Sequence, residues 1–131
     1  MKSLYHRIAV CLLLAIVVAA MYYGMYLKSV SDYQRTVRDM QIAEVDTSQL
    51  TDGTYIGDCN VNFIYAKVAV QIQNGEITQI QILEHRNERG KQAESVLDEI
   101  VKEQKINVDA VSGATNSSTV LKKAVETALS K

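Results

Sequence analysis

The feature that most limits how this chain can fold is an apolar run from Ile8 to Tyr26 that contains no charged residue. A helix rises about 1.5 Å per residue, so the run is long enough to cross the roughly 30 Å hydrocarbon core of a bilayer. Basic residues precede it, and tyrosines with Lys28 close it, as an aromatic belt with a snorkelling lysine would. The sequence therefore predicts a single-pass transmembrane anchor over residues 1–27.

Cleavage and orientation of this anchor stay open at the level of sequence. Small residues at Val18, Ala19 and Ala20 offer a signal-peptidase site, although the apolar run continues beyond the ~7–15 residues of a secretory core. Arg35 and Arg38 follow the run, so the distribution of positive charge does not decide the orientation. We expect a retained anchor in the cell membrane, with the remainder extracytoplasmic because the short head is easier to leave in the cytoplasm.

The segment 28–49 is polar, with apolar residues at helical spacing: Val30, Tyr33, Val37 and Met40. This pattern predicts that the anchor helix continues as an amphipathic stalk, and a helix that packs on the following domain is an equally good interpretation. Residues 50–131 then form one folded domain. The formal net charge of -1, without a basic block, argues against a nucleic-acid partner.

A β-hairpin is predicted in the first half of this domain. Alternating apolar residues from Phe63 to Gln73 lead into Asn74-Gly75, and a second apolar stretch runs from Ile77 to Ile82. Asn-Gly supplies the positive φ angles of a type I′ turn. A phase shift between Ile77 and Ile80 indicates a bulge. A short strand from Gly53 to Gly57 is expected to pair with the hairpin.

Two helices are predicted to follow. Apolar residues recur at spacings of three and four between Gln92 and Gln104, and again from Val120 to Leu129. Asn116, Ser117 and Ser118 offer N-cap residues ahead of the second helix. The order of strand, hairpin, helix, loop and helix predicts an α+β fold, with helices packed on one face of a small antiparallel sheet.

The loop from Asp109 to Thr115, with the sequence Asp-Ala-Val-Ser-Gly-Ala-Thr, contains the most distinctive residues of the chain. Gly113 and Ala114 permit close approach of a ligand to the backbone, and the amides and dipole at a helix start favour an anion. On these properties alone, a phosphate site and a plain turn with a helix cap are both open interpretations.

The loop resembles the flavinylation motif of the FMN-binding domain family, Asp-x-x-Ser/Thr-Gly-Ala-Thr, at every specified position, and the resemblance extends over roughly residues 50–131. That family includes the flavin-carrying subunits of the sodium-translocating NADH:quinone reductase and of the Rnf complex. The resemblance implies that Thr115 carries FMN through a phosphoester bond. It also implies that a separate magnesium-dependent flavin transferase installs the FMN from FAD.

The resemblance assigns roles to further residues. Ser112 would hydrogen-bond the phosphate or the loop backbone, and Gly113 and Ala114 would let the phosphate approach the backbone closely. Asp109 would be recognised by the transferase. His85 follows the second hairpin strand, where family members bring a loop towards the flavin. A departure from the family pattern is the stretch 58–62, which replaces a frequent glycine-rich segment. A second departure is the triplet 116–118, which replaces a more usual Val-Thr-Ser.

We therefore expect an electron carrier with covalent FMN, matured by a flavin transferase and exchanging electrons with membrane redox partners such as a quinone-linked reductase. The alternative is a membrane-tethered module that binds FMN or another phosphate ligand noncovalently. A flavoenzyme with its own substrate is the less favoured third interpretation, because about 80 residues leave little room for a second pocket. No metal site is predicted, since Cys59 has no second thiol in the domain and only His85 nearby in the chain.

Overall fold

The structure is a computed structural model and describes residues 1–86 and 91–131. The chain divides into two compact units, Met1–Asp32 and Tyr33–Lys131. Helix α1 (Lys2–Asp39) provides the first unit and the beginning of the second.

Helix α1 contains the predicted apolar run and is long and apolar enough to cross a membrane. No residue in the apolar window of this helix is buried within the protein, so its side chains need another apolar environment. A membrane-compatible N-terminal helix is thereby confirmed. Retained anchor and signal sequence are both consistent with it, and the orientation stays a prediction.

The second unit contains a three-stranded antiparallel sheet in the order β1-β2-β3. The predicted strand that begins at Gly53 does pair with the hairpin, and it continues beyond Gly57. The strands are β1 (Gly53–Asn60), β2 (Tyr65–Gln73) and β3 (Glu76–Arg86).

The hairpin between β2 and β3 has the predicted turn and the predicted bulge. At Asn74-Gly75 the two φ angles are 53° and 76°, the positive values that a type I′ turn requires. Thr78 is left out of the strand register between Ile77 and Gln79, which makes it the extra residue of a bulge. Both features lie within a few residues of the signals that predicted them.

Two helices cover one face of the sheet, so the predicted α+β architecture is confirmed. A short 3-10 turn (Lys91–Glu94) leads into α2 (Ser95–Glu103), and α3 (Thr115–Leu129) packs on β1 and β2. Strand β2 alternates as a half-covered strand does, and its inward side chains belong to the same buried cluster as apolar residues of both helices. The fully buried core includes Val68, Val70, Ile100, Leu121 and Val125.

The segment 28–49 is not helical throughout. Helix α1 ends at Asp39, residues 40–46 have no regular secondary structure, and a 3-10 turn follows at Thr47–Gln49. Val37 is buried in the core of the second unit, with Tyr33 and Met40 packed against the same cluster. From Tyr33 onward the chain therefore packs on the domain, which was the second interpretation of its apolar spacing.

Candidate functional site

Helix α3 begins at Thr115, directly after the distinctive loop. Ala114 occupies the N-cap position without a side-chain cap, so the prediction that residues 116–118 cap this helix is wrong. They lie in its first turn. The helix start is instead set by a backbone turn over residues 111–114, in which the Ala114 amide donates to the Val111 carbonyl at 3.0 Å. Gly113, with φ 80°, occupies the third position, where a type II turn requires a positive φ.

Thr115 is exposed, and its hydroxyl makes no hydrogen bond to any residue that the structure describes. Its carbonyl accepts a hydrogen bond from the Thr119 hydroxyl at 2.9 Å. The backbone amides of residues 115–117 also lack a partner in the described chain, as expected for the first turn of a helix. Within the described part of the chain, the start of α3 therefore presents a hydroxyl and amide donors without partners, together with the positive end of the helix dipole.

Ser118 fixes the turn that precedes Thr115. Its side chain is fully buried, and its hydroxyl donates to the Ala114 carbonyl at 2.8 Å while accepting from the Val111 amide at 3.0 Å. One hydroxyl thus connects both ends of the turn to the first turn of α3. Sequence reasoning treated Ser118 only as a capping residue and missed this role.

Residues 106–108, directly before the loop, are held by two charged side chains from distant parts of the chain. Glu44 accepts the Ile106 amide at 2.8 Å and the Asn107 amide at 2.7 Å. From α3, the Lys122 ammonium donates to the Val108 carbonyl at 2.9 Å and to Asn107 Oδ1 at 3.2 Å. These hydrogen bonds fix the stretch that enters the loop and thereby position the residues that lead to Thr115.

Lys122 is unusual because a lysine is rarely buried, and only 7% of its surface is exposed. Burial lowers the pKa of its ammonium below the usual 10.5, while the carboxylates of Asp109 and Glu44 act in the opposite direction. Its hydrogen bonds to the loop offset part of the desolvation cost.

A surface cavity of about 630 Å³ opens beside Thr115. The first turns of α3 form one wall, Asn107 contributes from just before the loop, and segment 34–42 forms the facing wall. Among its described lining residues are two basic side chains, Arg38 and Lys122, and no acidic one. A cavity with this charge and these helix amides suits an anionic ligand.

Three other surface cavities have a different character. One of about 530 Å³ lies between α2 and the loop and is lined by Glu99, Glu103 and Asp109 with Lys105. Another of about 560 Å³, along β3 and α2, has two acidic residues and one basic residue among its lining. A third, of about 310 Å³, has Asp52 as its charged residue. Each carries more acidic than basic side chains, so the cavity at Thr115 is the better anion site among the four.

The predicted site residues are divided among different surroundings. Thr115 lines the basic cavity, whereas Asp109 lines the acidic one. Ser112 and Gly113 are exposed on the turn, and Ala114 is buried beneath it. A Cβ added at Gly113 would lie 3.4 Å from Gln92 Nε2, and a residue with a side chain would be strained at this positive φ. Glycine therefore suits this position.

His85 does not line the cavity at Thr115. Its side chain is only 2% exposed, and its Nδ1 lies 3.0 Å from Oε1 of Glu94, the last residue of the 3-10 turn before α2. The neighbouring Arg86 guanidinium sits 5.6 Å from the centre of the Tyr65 ring. The His85 side chain is therefore buried rather than solvated at the surface, and its proximity to a flavin stays a prediction.

A sequence profile of the FMN-binding domain family matches residues 62–130, which is more than half of the chain. The chain belongs to the FMN-binding domain family. No curated protein matches it. The match of this FMN-binding domain covers β2, β3, both domain helices and the loop before Thr115, but it begins after β1. The segment 34–42, which forms one wall of the cavity, lies outside it.

Proposed function

We propose that this protein is a membrane-anchored electron carrier whose FMN is attached through its phosphate to Thr115. The observation that carries the proposal is the position of this threonine within the FMN-binding domain. Its exposed hydroxyl, which bonds to no residue that the structure describes, lies at a cavity whose described lining has two basic side chains and no acidic one.

The residues at this end of α3 fit the phosphate end of FMN. A phosphodiester at Thr115 would carry one negative charge, and the free amides of residues 115–117 and the helix dipole favour such a charge. Gly113 leaves its own position in the preceding turn without a side chain. Ser112, exposed on the same turn, is the hydroxyl closest in sequence that would bind a phosphate oxygen.

Attachment would be a phosphoryl transfer without oxidation or reduction. Thr115 Oγ forms a bond to the FMN-side phosphorus of FAD, the pyrophosphate P–O bond breaks, AMP leaves, and the hydroxyl proton is released. No base within the described chain hydrogen-bonds the Thr115 hydroxyl, so a separate flavin transferase would supply the activation. Asp109, exposed on the far side of the loop, is then available for recognition by that transferase.

When bound, FMN supplies reversible electron transfer, and the chain supplies its location and its polar surroundings. Covalent attachment suits an extracytoplasmic carrier, because a flavin lost from that side of the membrane is not easily replaced. We propose membrane redox proteins, such as a quinone-linked reductase, as the partners. Reduction of the attached flavin in native membranes, dependent on an added donor and abolished by Thr115→Ala, tests this relay.

The attachment is tested by the intact mass of the denatured full chain after co-expression with a flavin transferase. The native chain is expected to gain the mass of one FMN less one water, and Thr115→Ala is expected to gain nothing. Thr119→Ala is the matched control, since Thr119 is a hydroxyl residue of the same helix and the same cavity. A mass gain in Thr115→Ala, or none in the native chain, would refute the linkage.

Noncovalent binding is the second candidate, because a basic cavity with free helix amides would also hold a phosphate ligand without a covalent bond. This candidate predicts flavin that copurifies with the native chain and is released entirely by urea. A flavin that stays on the chain through denaturation excludes it.

A further inference from the structure

The wall of the cavity that faces Thr115 comes from the end of α1 and the residues after it. This wall contains Gln34, Val37 and Arg38, followed by Met40, Gln41 and Ile42. All of these residues precede the part of the chain that matches the FMN-binding domain family. The cavity at Thr115 is therefore completed by a segment that the family profile does not include.

This wall is held against α3 by specific polar contacts. The Lys123 ammonium donates to the Gln41 carbonyl at 3.2 Å, and the Ala43 amide donates to Glu126 Oε2 at 3.0 Å. Val37, one position before Arg38, is buried in the core with only 3% of its surface exposed. The backbone around Arg38 is thus anchored on both sides, and Arg38 has a defined position at the cavity.

Arg38 is the more available of the two cations in the cavity. The Lys122 ammonium is occupied by the Val108 carbonyl and Asn107 Oδ1. Arg38 is exposed and makes no ion pair with any described residue. A guanidinium presents a planar fork of donors that matches two phosphate oxygens, and it remains charged at all physiological pH values.

We propose that Arg38 binds the phosphate of the FMN attached to Thr115, and that segment 34–42 is one wall of the flavin site. The inference rests on the proposed function, since it names the residue that neutralises the charge created by the attachment. Thr115 provides the bond, the amides of α3 bind the phosphate from one side, and Arg38 binds it from the facing wall.

The test compares full-length Arg38→Ala with Arg35→Ala, a matched control because Arg35 is an exposed arginine of the same helix that does not line the cavity. Each chain is prepared with and without a co-expressed flavin transferase, so that each variant is its own unflavinylated reference. Two properties are measured in detergent: the rise in Tm on flavinylation and the ³¹P resonance of the phosphodiester.

Arg38→Ala is expected to reduce the rise in Tm by several degrees, on the order of 4–8 °C for a domain of this size. It is also expected to shift the ³¹P resonance, whereas Arg35→Ala changes neither property. Arg38→Lys, which keeps the charge but not the fork, is expected to retain part of the rise. If Arg38→Ala does not fold or accepts no flavin, the rise in Tm and the ³¹P resonance are measured on Arg38→Lys instead.

The failure of this inference is distinguishable from that of the proposed function. If the native chain gains no flavin mass, the proposed function is refuted and the inference with it. If the native chain is flavinylated and the Arg38 variants match Arg35→Ala in both readouts, Arg38 does not bind the phosphate, while attachment at Thr115 stands.

Discussion

Ser118 shows how a single buried hydroxyl organises the residues around the proposed attachment point. Its oxygen accepts the Val111 amide and donates to the Ala114 carbonyl, so it closes the turn that places Thr115 at the start of α3. Ala114 also accepts the Ser118 backbone amide at 2.9 Å. Removal of the hydroxyl would therefore leave the Val111 amide without a partner, while the helix keeps its first backbone bond.

We expect Ser118→Ala to lower the free energy of unfolding by about 1–3 kcal/mol, the usual cost of an unsatisfied buried donor. Urea titration of the full chain in mild detergent measures it. Ser130→Ala is the control, because that exposed hydroxyl donates to the Glu126 carbonyl four residues earlier and closes no turn. Equal effects of the two substitutions would show that the two hydrogen bonds of the Ser118 hydroxyl stabilise the protein no more than an ordinary helix hydroxyl does.

At the scale of elements, the close packing of α3 on β1 depends on a glycine. A Cβ built at Gly57 would lie 2.5 Å from the Ala124 carbonyl oxygen and 2.6 Å from the Ala128 Cα, both on α3. Since these are backbone atoms, the helix as a whole would have to move away from the sheet. The same helix carries Thr115 at its other end and Lys122 in the cavity. A shift of α3 away from β1 would therefore also move these residues of the site.

Gly57→Ala is expected to destabilise the domain by about 1–3 kcal/mol or more through overpacking. Ile56→Ala, at a neighbouring position with 47% of its surface exposed, is expected to change stability by no more than about 0.5 kcal/mol. Thermal unfolding of both variants measures the difference. A Gly57→Ala variant as stable as Ile56→Ala would mean that α3 does not rest directly on β1.

At the scale of the whole molecule, the chain combines a membrane-compatible helix with a compact unit from Tyr33 to Lys131. A retained anchor predicts that protein isolated from membranes still contains the apolar run from Ile8 to Tyr26. Cleavage near Ala20 would instead release a shorter chain from the membrane fraction. The intact mass of protein from isolated membranes therefore decides between anchor and signal sequence.

The extracytoplasmic orientation is tested by labelling single cysteines with a membrane-impermeant maleimide, in a chain whose Cys11 and Cys59 are replaced by alanine. Ser130→Cys, at the exposed end of the domain, is expected to react in intact cells. Ser3→Cys in the N-terminal head is the control and is expected to react only after permeabilisation. The reverse pattern would place the domain in the cytoplasm and remove the proposed reason for a covalent flavin.

Local features of the fold were predictable because their causes lie within a few residues. Asn74-Gly75 selects the hairpin turn through the φ angles it tolerates, and the alternation of β2 reflects a strand covered on one face. The start of α3 was predicted wrongly, because a row of good N-cap residues outweighed the backbone turn at Gly113 in sequence reasoning. That turn depends on the buried hydroxyl of Ser118, whose burial no local pattern reveals.

By itself, then, the sequence determined the membrane-compatible helix, the order of strands and helices, and the threonine that the family motif singles out. Only the tertiary structure decided what surrounds that threonine. Glu44 accepts the amide of Ile106, 62 positions away, and Arg38 lines the same cavity as Thr115 from outside the family match. Periodicity and turn chemistry act over short stretches of chain, whereas a binding cavity forms where distant segments pack together.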